Sequence, residues 1–427
     1  MQPYQSCQRP ILAALIALVA APWPAWAESP LTLDLAGALE RARTGNQLLE
    51  AARLRVEEAR GDLVGARILL VDNPELVSEA GPRKPSEAGV SSTTDYEVGL
   101  EQRLEIAGQR GHRVARARSA LAAAEAAAMD AQRVLELAVA STFYEALAAS
   151  RRTTIARDRE GVANRLHETA RLRLERGEGT HLELNASLIR LAEAQRRLSA
   201  AQAGERSTGI RLAELLGLNP DTVLQLEGGF PDVAVTVAEE SALNQALETR
   251  PDLMAIERRV ESSNSAVRLA DAEGWPDVTV GIFYGEDERD DVLTAGVRVP
   301  IPVFNRNQGP RTRARATARR LRAERQTLRL RVESEVRTAY ADYDQTAQAL
   351  RLYDTTLLRA QEESLDLLER AFAAGQVGYA EVVVVQRELL EGREGYLDAK
   401  LAFARARAAL LAGSGQPLVE NEKEPRP

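Results

Sequence analysis

The chain states one plan twice, and that repetition limits its fold more than any other feature. The stretch ALERARTGNQLLEAARLRVEEA at 38–59 matches ALNQALETRPDLMAIERRVESS at 242–263, an offset of 204 residues. VGLEQRLEIAGQRGHR (98–113) is echoed by AGVRVPIPVFNRNQGP (295–310) at about 197, and RLRLERGEGTHLEL (171–184) by LERAFAAGQVGYAEV (368–382) at 198. A steady offset with small insertions marks a duplicated unit. Each copy reads helix, strand, loop, strand, long helix, Gly turn, helix. The expected boundaries are 28–230 for the first repeat and 231–413 for the second, with 414–427 a polar tail.

The strands alternate. In 96–106, Tyr96, Val98, Leu100, Leu104 and Ile106 oppose Glu97, Gly99, Glu101, Arg103 and Glu105, with Gln102 the one polar residue on the apolar side. In 293–303, Leu293, Ala295, Val297, Val299, Ile301 and Val303 form one row, and Val278, Val280, Ile282 and Tyr284 form another after Trp275-Pro276. A fourth strand, Leu76 to Gly81, is expected mainly from its repeat partner. Such apolar/polar alternation over about ten residues suits a tilted membrane-spanning strand. It suits a half-buried strand of a soluble sheet equally by pattern. Occurrence only as hairpins between long helices, and Pro300 with Pro302 at a strand end, favour the membrane. Four strands cannot close a barrel, so the chain would share one with copies of itself.

The helices set the long dimension. Residues 112–176 and 310–374 read as helices of roughly 95–100 Å. The returns, about 180–218 and 379–413, are shorter, and 34–70 and 239–272 could stack on their ends so that two short helices cover one long one. Aromatics make up only 4% of the chain, a bias of long paired helices. No run of about 18 apolar residues follows the N-terminal segment, so any membrane crossing must be a barrel.

The N-terminus reads as a secretory signal, residues 1–27, with Arg9, the apolar run Ile11 to Ala20 and the small-x-small site Ala25-Trp26-Ala27. The only cysteine, Cys7, precedes that run, so disulfides and thiol chemistry are not expected. The formal charge of −8 gives no attraction to nucleic acid.

In order and spacing, the duplicated plan, the opening LTLDLAGALERA, NPEL at 73–76, VGLEQRLEIAGQRG and PIPVFNRNQG resemble the TolC-like outer-membrane efflux proteins over about 31–413. QRGHR and FNRNQG look closest to the CzcC-type, heavy-metal branch. The resemblance implies a mainly α fold with a small membrane β-barrel portion: a homotrimer whose 12-stranded outer-membrane β-barrel continues as a long periplasmic α-helical barrel. It also implies a periplasmic adaptor (membrane fusion) protein, a proton-driven inner-membrane pump and contact with outer-membrane lipid. The expected function is a passive conduit in a tripartite efflux system, carrying divalent heavy-metal cations. Export of drugs or type I protein secretion is the alternative within the class, and a soluble periplasmic coiled-coil adaptor or structural rod is the alternative outside it.

Through the resemblance, Arg173, Gly177 and Gly179 at one helix tip, with Ala371, Gly375 and Gly378 at the other, are adaptor-docking candidates, although turn-making alone accounts for the glycines. Glu183 and Glu381 are gate candidates. Val384 stands where a second acidic ring would be expected, so the gate would combine a Glu381 ring with an apolar constriction. As plain chemistry, each Glu near a helix start is also a solvated residue that the helix dipole favours. The acidic loop 286–291 is expected at the cell exterior as a solvated hairpin tip. His112, His167 and His181 are the only histidines, and by spacing His167 and His181 cannot share a metal. The arginine run at 306–331 reads as a solvated face below the membrane, or a contact for anionic lipid heads. Neither an enzyme's catalytic constellation nor a cofactor motif is present.

Overall fold

The computed structural model describes residues 31–83, 93–233, 238–287, 290–353, 363–364, 367–368, 370–372 and 374–419. The expected signal, with Ala25 and Ala27, and the end of the tail lie outside the described residues, as does Glu288 of the acidic loop.

The elements run β1 (Leu31–Leu33), α1 (Leu35–Gly45), α2 (Gln47–Ala66), β2 (Glu75–Arg83), β3 (Thr93–Leu104), α3 (Gln109–Glu175), α4 (His181–Leu215) and β4 (Leu224–Leu226), then α5 (Glu239–Thr249), α6 (Pro251–Ala272), β5 (Val278–Asp287), β6 (Asp290–Arg298), α7 (Gln308–Arg351) and α8 (Tyr379–Gly413). Setting aside the β1–β4 pair, the order of the first half recurs in the second.

Three expectations of extent are corrected. The helices expected at 34–70 and 239–272 are each two helices. Asn46 leaves the helical conformation and accepts hydrogen bonds from the Leu48 and Leu49 amides, ending α1 and capping α2. At the matching place Arg250 is extended and Pro251, which has no N–H to give to a continuing helix, opens α6. The row expected to Val303 leaves the sheet after Arg298, since Pro300 and Pro302 cannot donate to a ladder. Finally, α7 is capped at Leu352 instead of continuing unbroken to 374.

The strands form one antiparallel sheet in the order β2-β3-β5-β6, the two hairpins joined through β3 and β5 with Leu100 opposite Ile282. One face keeps its apolar row in the open: Leu76, Leu100, Ile282, Leu293 and Val297 are all exposed. The other carries Glu101, only 7% exposed, which accepts two 2.9 Å bonds from the Arg298 guanidinium across β5. Phe283 lies on that same face, over Gly99, Gly281 and Gly296. A Cβ on Gly281 would come within 2.7 Å of the Phe283 ring.

Both strand-to-helix passages end in one device. Gly108 and Asn307 take left-handed conformations just before α3 and α7. Next in sequence, Gln109 and Gln308 each accept from the amide two residues back, both at 2.8 Å. The recurring polar cluster is therefore a turn that redirects a strand into a helix.

At 67 residues α3 is about 100 Å long. It packs against α2 near the sheet and α4 further down, and against α6 and α8 on another side. The end-to-end stacking is observed: the Asn46 side-chain amide donates to the Leu215 carbonyl at the end of α4, and Arg250 donates to the Gly413 carbonyl at the end of α8. These junctions sit over two matching cores. Ala38, Leu39 and Ala42 pack with Val139, Phe143 and Leu212, and Ala242, Leu243 and Ala246 with Val332, Val336 and Phe403. Alanine at these positions lets helices approach closely. The parallel β1–β4 pair, Leu31 opposite Leu224, is unforeseen, although LTL and LQL share its alternation.

Among the described residues no helix is long and apolar enough to cross a membrane.

Candidate functional site

The candidate site lies at the helix ends farthest from the sheet. There α3 turns into α4, and the segment before Gly375 turns into α8.

The two turns share one hydrogen-bond pattern. Gly177 has φ +75°, with Glu178 N donating to Arg173 O (2.9 Å) and Gly177 N to Leu174 O (3.0 Å). Gly375 has φ +72°, with Gln376 N donating to Ala371 O (2.9 Å) and Gly375 N to Phe372 O (3.0 Å). This crossed pair closes a helix through a left-handed glycine. It makes Arg173 and Ala371 structural equivalents. Gly179 serves differently: a Cβ there would stand 3.1 Å from Leu174 N. Gly378 has φ −80° and open space around it, a conformation any residue adopts, so its expected part in the reversal is corrected.

Arg173 joins the two tips. Its guanidinium donates to the Phe372 carbonyl at 3.0 Å and to the Glu178 carbonyl at 3.3 Å, and its carbon sits 5.2 Å from the Phe372 ring centroid. Phe372 is 1% exposed and packs with Leu166, Tyr379 and Val382. Burial raises the pKa of the Tyr379 hydroxyl, against the lowering charge of Arg190. Phe372, Tyr379 and Val382 were not foreseen as site residues. The F-x₆-Y-x₂-V spacing across a glycine turn is the signal they left in the sequence.

The two candidate gate carboxylates are not equivalent. Glu183 closes a capping box: its amide donates to the Thr180 hydroxyl oxygen, and its carboxylate accepts from the Thr180 amide, both at 3.2 Å. The corresponding cap of α8 is Gly378, without a side chain to close such a box. Glu381 stands exposed on the first turn of α8, and Val384 follows three residues later, also exposed. Residues so spaced share a helix face, opposite the buried Val382. The structure thus brings Glu381 and Val384 together, joins Arg173 to Phe372, and turns Glu183 back onto its own helix start.

His167 lies apart from His181. Its Nδ1 is 2.9 Å from Ser187 Oγ, whose own hydrogen goes to the Leu184 carbonyl at 2.7 Å, so Nδ1 carries the donating proton. Among the described residues no group of His, Cys, Asp or Glu is placed to hold a metal. Higher between α3, α4 and α8, Glu193 is bonded by Arg197 (2.9 Å) and Arg190 (3.1 Å). The Arg197 hydrogen bond, helped by both arginine charges, holds its carboxyl below the usual range.

The model of the family described as outer membrane efflux protein matches residues 38–218 and 242–416, one match for each copy. The pyoverdine export outer membrane protein OpmQ of Pseudomonas putida is 27% identical, the match spanning 92% of this chain and 87% of that protein. The cobalt-zinc-cadmium resistance protein CzcC of Cupriavidus metallidurans is 24% identical over 88% of each. The crystal structure of the CusC transmembrane channel shares the fold, with a TM-score of 0.73 and 19% identity over 90% of this chain and 92% of that one. Repeated halves, an open sheet with an apolar face and a double match thus agree, and the chain belongs to the outer membrane efflux protein family.

Proposed function

We propose that this protein is the trimeric outer-membrane conduit of a tripartite efflux system, carrying divalent heavy-metal cations received from a periplasmic adaptor and an inner-membrane pump. As a member of an outer-membrane efflux family it is a channel component and not an enzyme. The observation that carries the conduit reading is the sheet. Four strands with bare edges at β2 and β6 and an exposed apolar row can satisfy their backbone in a membrane only by closing into a barrel with further copies.

The tips then stand at the far, periplasmic end. Glu381 faces outward from α8, and copies arranged about an axis would gather these carboxylates into a ring that attracts cations, with Val384 beside it as an apolar collar. Arg173 braces the two tips of a protomer, and the surface around Gly177, Ala371 and Gly375 is the adaptor-docking candidate. The likeness to CzcC, named for cobalt, zinc and cadmium resistance, supports the metal reading. The likeness to OpmQ, named for pyoverdine export, supports a second reading in which the cargo is a small organic molecule.

The test is growth of a deletion strain on zinc, cobalt, cadmium, copper and silver salts beside drugs and detergents. Selective sensitivity to the metals is expected. Sensitivity to drugs or loss of pyoverdine release, with metal tolerance unchanged, overturns the metal reading and leaves the conduit.

A further inference from the structure

The duplication predicts a surface that one chain leaves unfilled. Through the described residues nearest the sheet, the helices lie in the order α2–α3–α6–α7, with α3 packed on α2 and α6, and α6 packed on α7. The strands follow the same order, β2-β3-β5-β6. Position by position α6 corresponds to α2 at the 204-residue offset. In burial α7 follows α3 at 197, Val332 and Val336 answering Leu135 and Val139.

In the middle of this row, α6 buries two stripes. Leu253, Ile256 and Val260 are buried at helical spacing on one face, with Leu253 in the core that α7 shares through Val332 and Val336. Ala255, Ser265, Leu269 and Ala272 form the stripe toward α3, where Ser262 Oγ donates to the Arg116 carbonyl at 3.0 Å. Only the first stripe is buried on α2, as Leu49, Ala52, Leu63 and Ala66. The counterparts of the second, Ala51, Gly61, Gly65 and Ile68, are all exposed. The complementary vacancy is on α7: Ala123 and Ala126 of α3 are buried, and their counterparts Arg320 and Ala323 are exposed.

We infer that α2 of a second copy covers this bare face of α7 in the register that α6 holds against α3, setting Glu58 of the partner subunit beside Arg313. Both residues come from the observed contact: Ser262 maps to Glu58 and Arg116 to Arg313. The intrachain contact uses the Arg116 main-chain carbonyl, so the transposed register makes Glu58 and Arg313 neighbours, and a carboxylate at that place draws the Arg313 guanidinium onto it. Both are exposed in the single chain. The charges are complementary, with Glu58 and Asp62 on α2 where α7 carries its arginines, while Glu57 is held by Arg60 of its own helix at 2.7 Å. Several of those arginines are already committed within the chain: Arg311 and Arg315 to Asp271, and Arg322 to Asn264. The seam is continuous with the sheet, because the same neighbour sets its β2 edge beside β6. Within the arginine run, Arg313 is thereby assigned to assembly, not to lipid.

The inference rests on the conduit reading. It is tested on the full chain carrying Cys7→Ala, with Glu58→Cys and Arg313→Cys together, treated with a short bismaleimide in outer membranes. Glu58→Cys with Arg322→Cys serves as a pair on the wrong face. Dimer and trimer bands from the first pair and their loss in the second are expected. In parallel, E58R and R313E each lower the dissociation temperature of the detergent-solubilised assembly, and the double reversal recovers it. Light scattering separates the failures. A multi-copy particle with no cross-link and no recovery overturns this interface and leaves the conduit standing, whereas a single-copy particle overturns both.

Discussion

At the scale of single residues, the junction between helix ends carries a nearly buried charge that needs every one of its partners. Arg250 is 3% exposed, bonded to Asp252 at 2.7 Å and to the Gly413 carbonyl, and paired with Glu335 at 3.0 Å. Removing it leaves a carboxylate and a carbonyl in a nearly dry site, so Arg250→Ala should cost about 3 kcal/mol in urea unfolding. Burial pushes the Asp252 carboxyl up, but the bonds and charge of Arg250, with the charge of Arg133, outweigh it and hold the group below its ordinary value. A folded pKa below the unfolded one, about 3.9, gives stability that is complete above that value and lost as the pH falls through the folded pKa. Asp252→Asn should therefore flatten the acid limb of the melting profile below about pH 4. Within the sheet the Phe283 ring fits closely over Gly281. Gly281→Ala should lower assembly by overpacking worth roughly 1–3 kcal/mol, and Phe283→Leu in the same chain should restore the yield. No alternation rule places a phenylalanine on the polar face; the three glycines under it become neighbours only through strand register.

The elements owe their ends to short local signals and their alignment to contacts far along the chain. Gly177→Ala and Gly375→Ala should each cost about 1 kcal/mol, because a Cβ strains the left-handed conformation, while Gly378→Ala should be neutral in the same melting assay. Gly177 and Gly375 are legible from the sequence as turn glycines, yet nothing local separates them from Gly378. The positive φ does that. Arg173→Ala should free the tips from each other, removing a cation–π contact of about 1 kcal/mol and the bond to the Phe372 carbonyl. Faster amide exchange at Gly375 to Val382, with the α3–α4 packing around His167 unchanged, is the expected result. Arg173 was legible only as a residue near a tip. Its bond to Phe372 spans 199 residues of sequence, and local pattern carries no information about such a pair.

For the whole molecule the decisive quantity is how many copies close the tube and what they place on the axis. Glu381→Gln should reduce the cation preference of the channel in planar bilayers, while an unchanged reversal potential would remove Glu381 from the constriction. The duplication, the hairpin insertions and the long helix α3 were legible in the sequence alone, because periodicity of two and of 3.6, glycine turns and repeated stretches are written along the chain, while the class of protein followed from the resemblance of those stretches to a known family. The end-to-end stacking through Asn46 on Leu215 and Arg250 on Gly413, the pairing of β3 with β5, the β1–β4 pair and the tying of Arg173 to Phe372 were decided by tertiary structure. Each depends on groups brought together from distant parts of the chain, whose desolvation must be offset by partners that only the folded arrangement supplies.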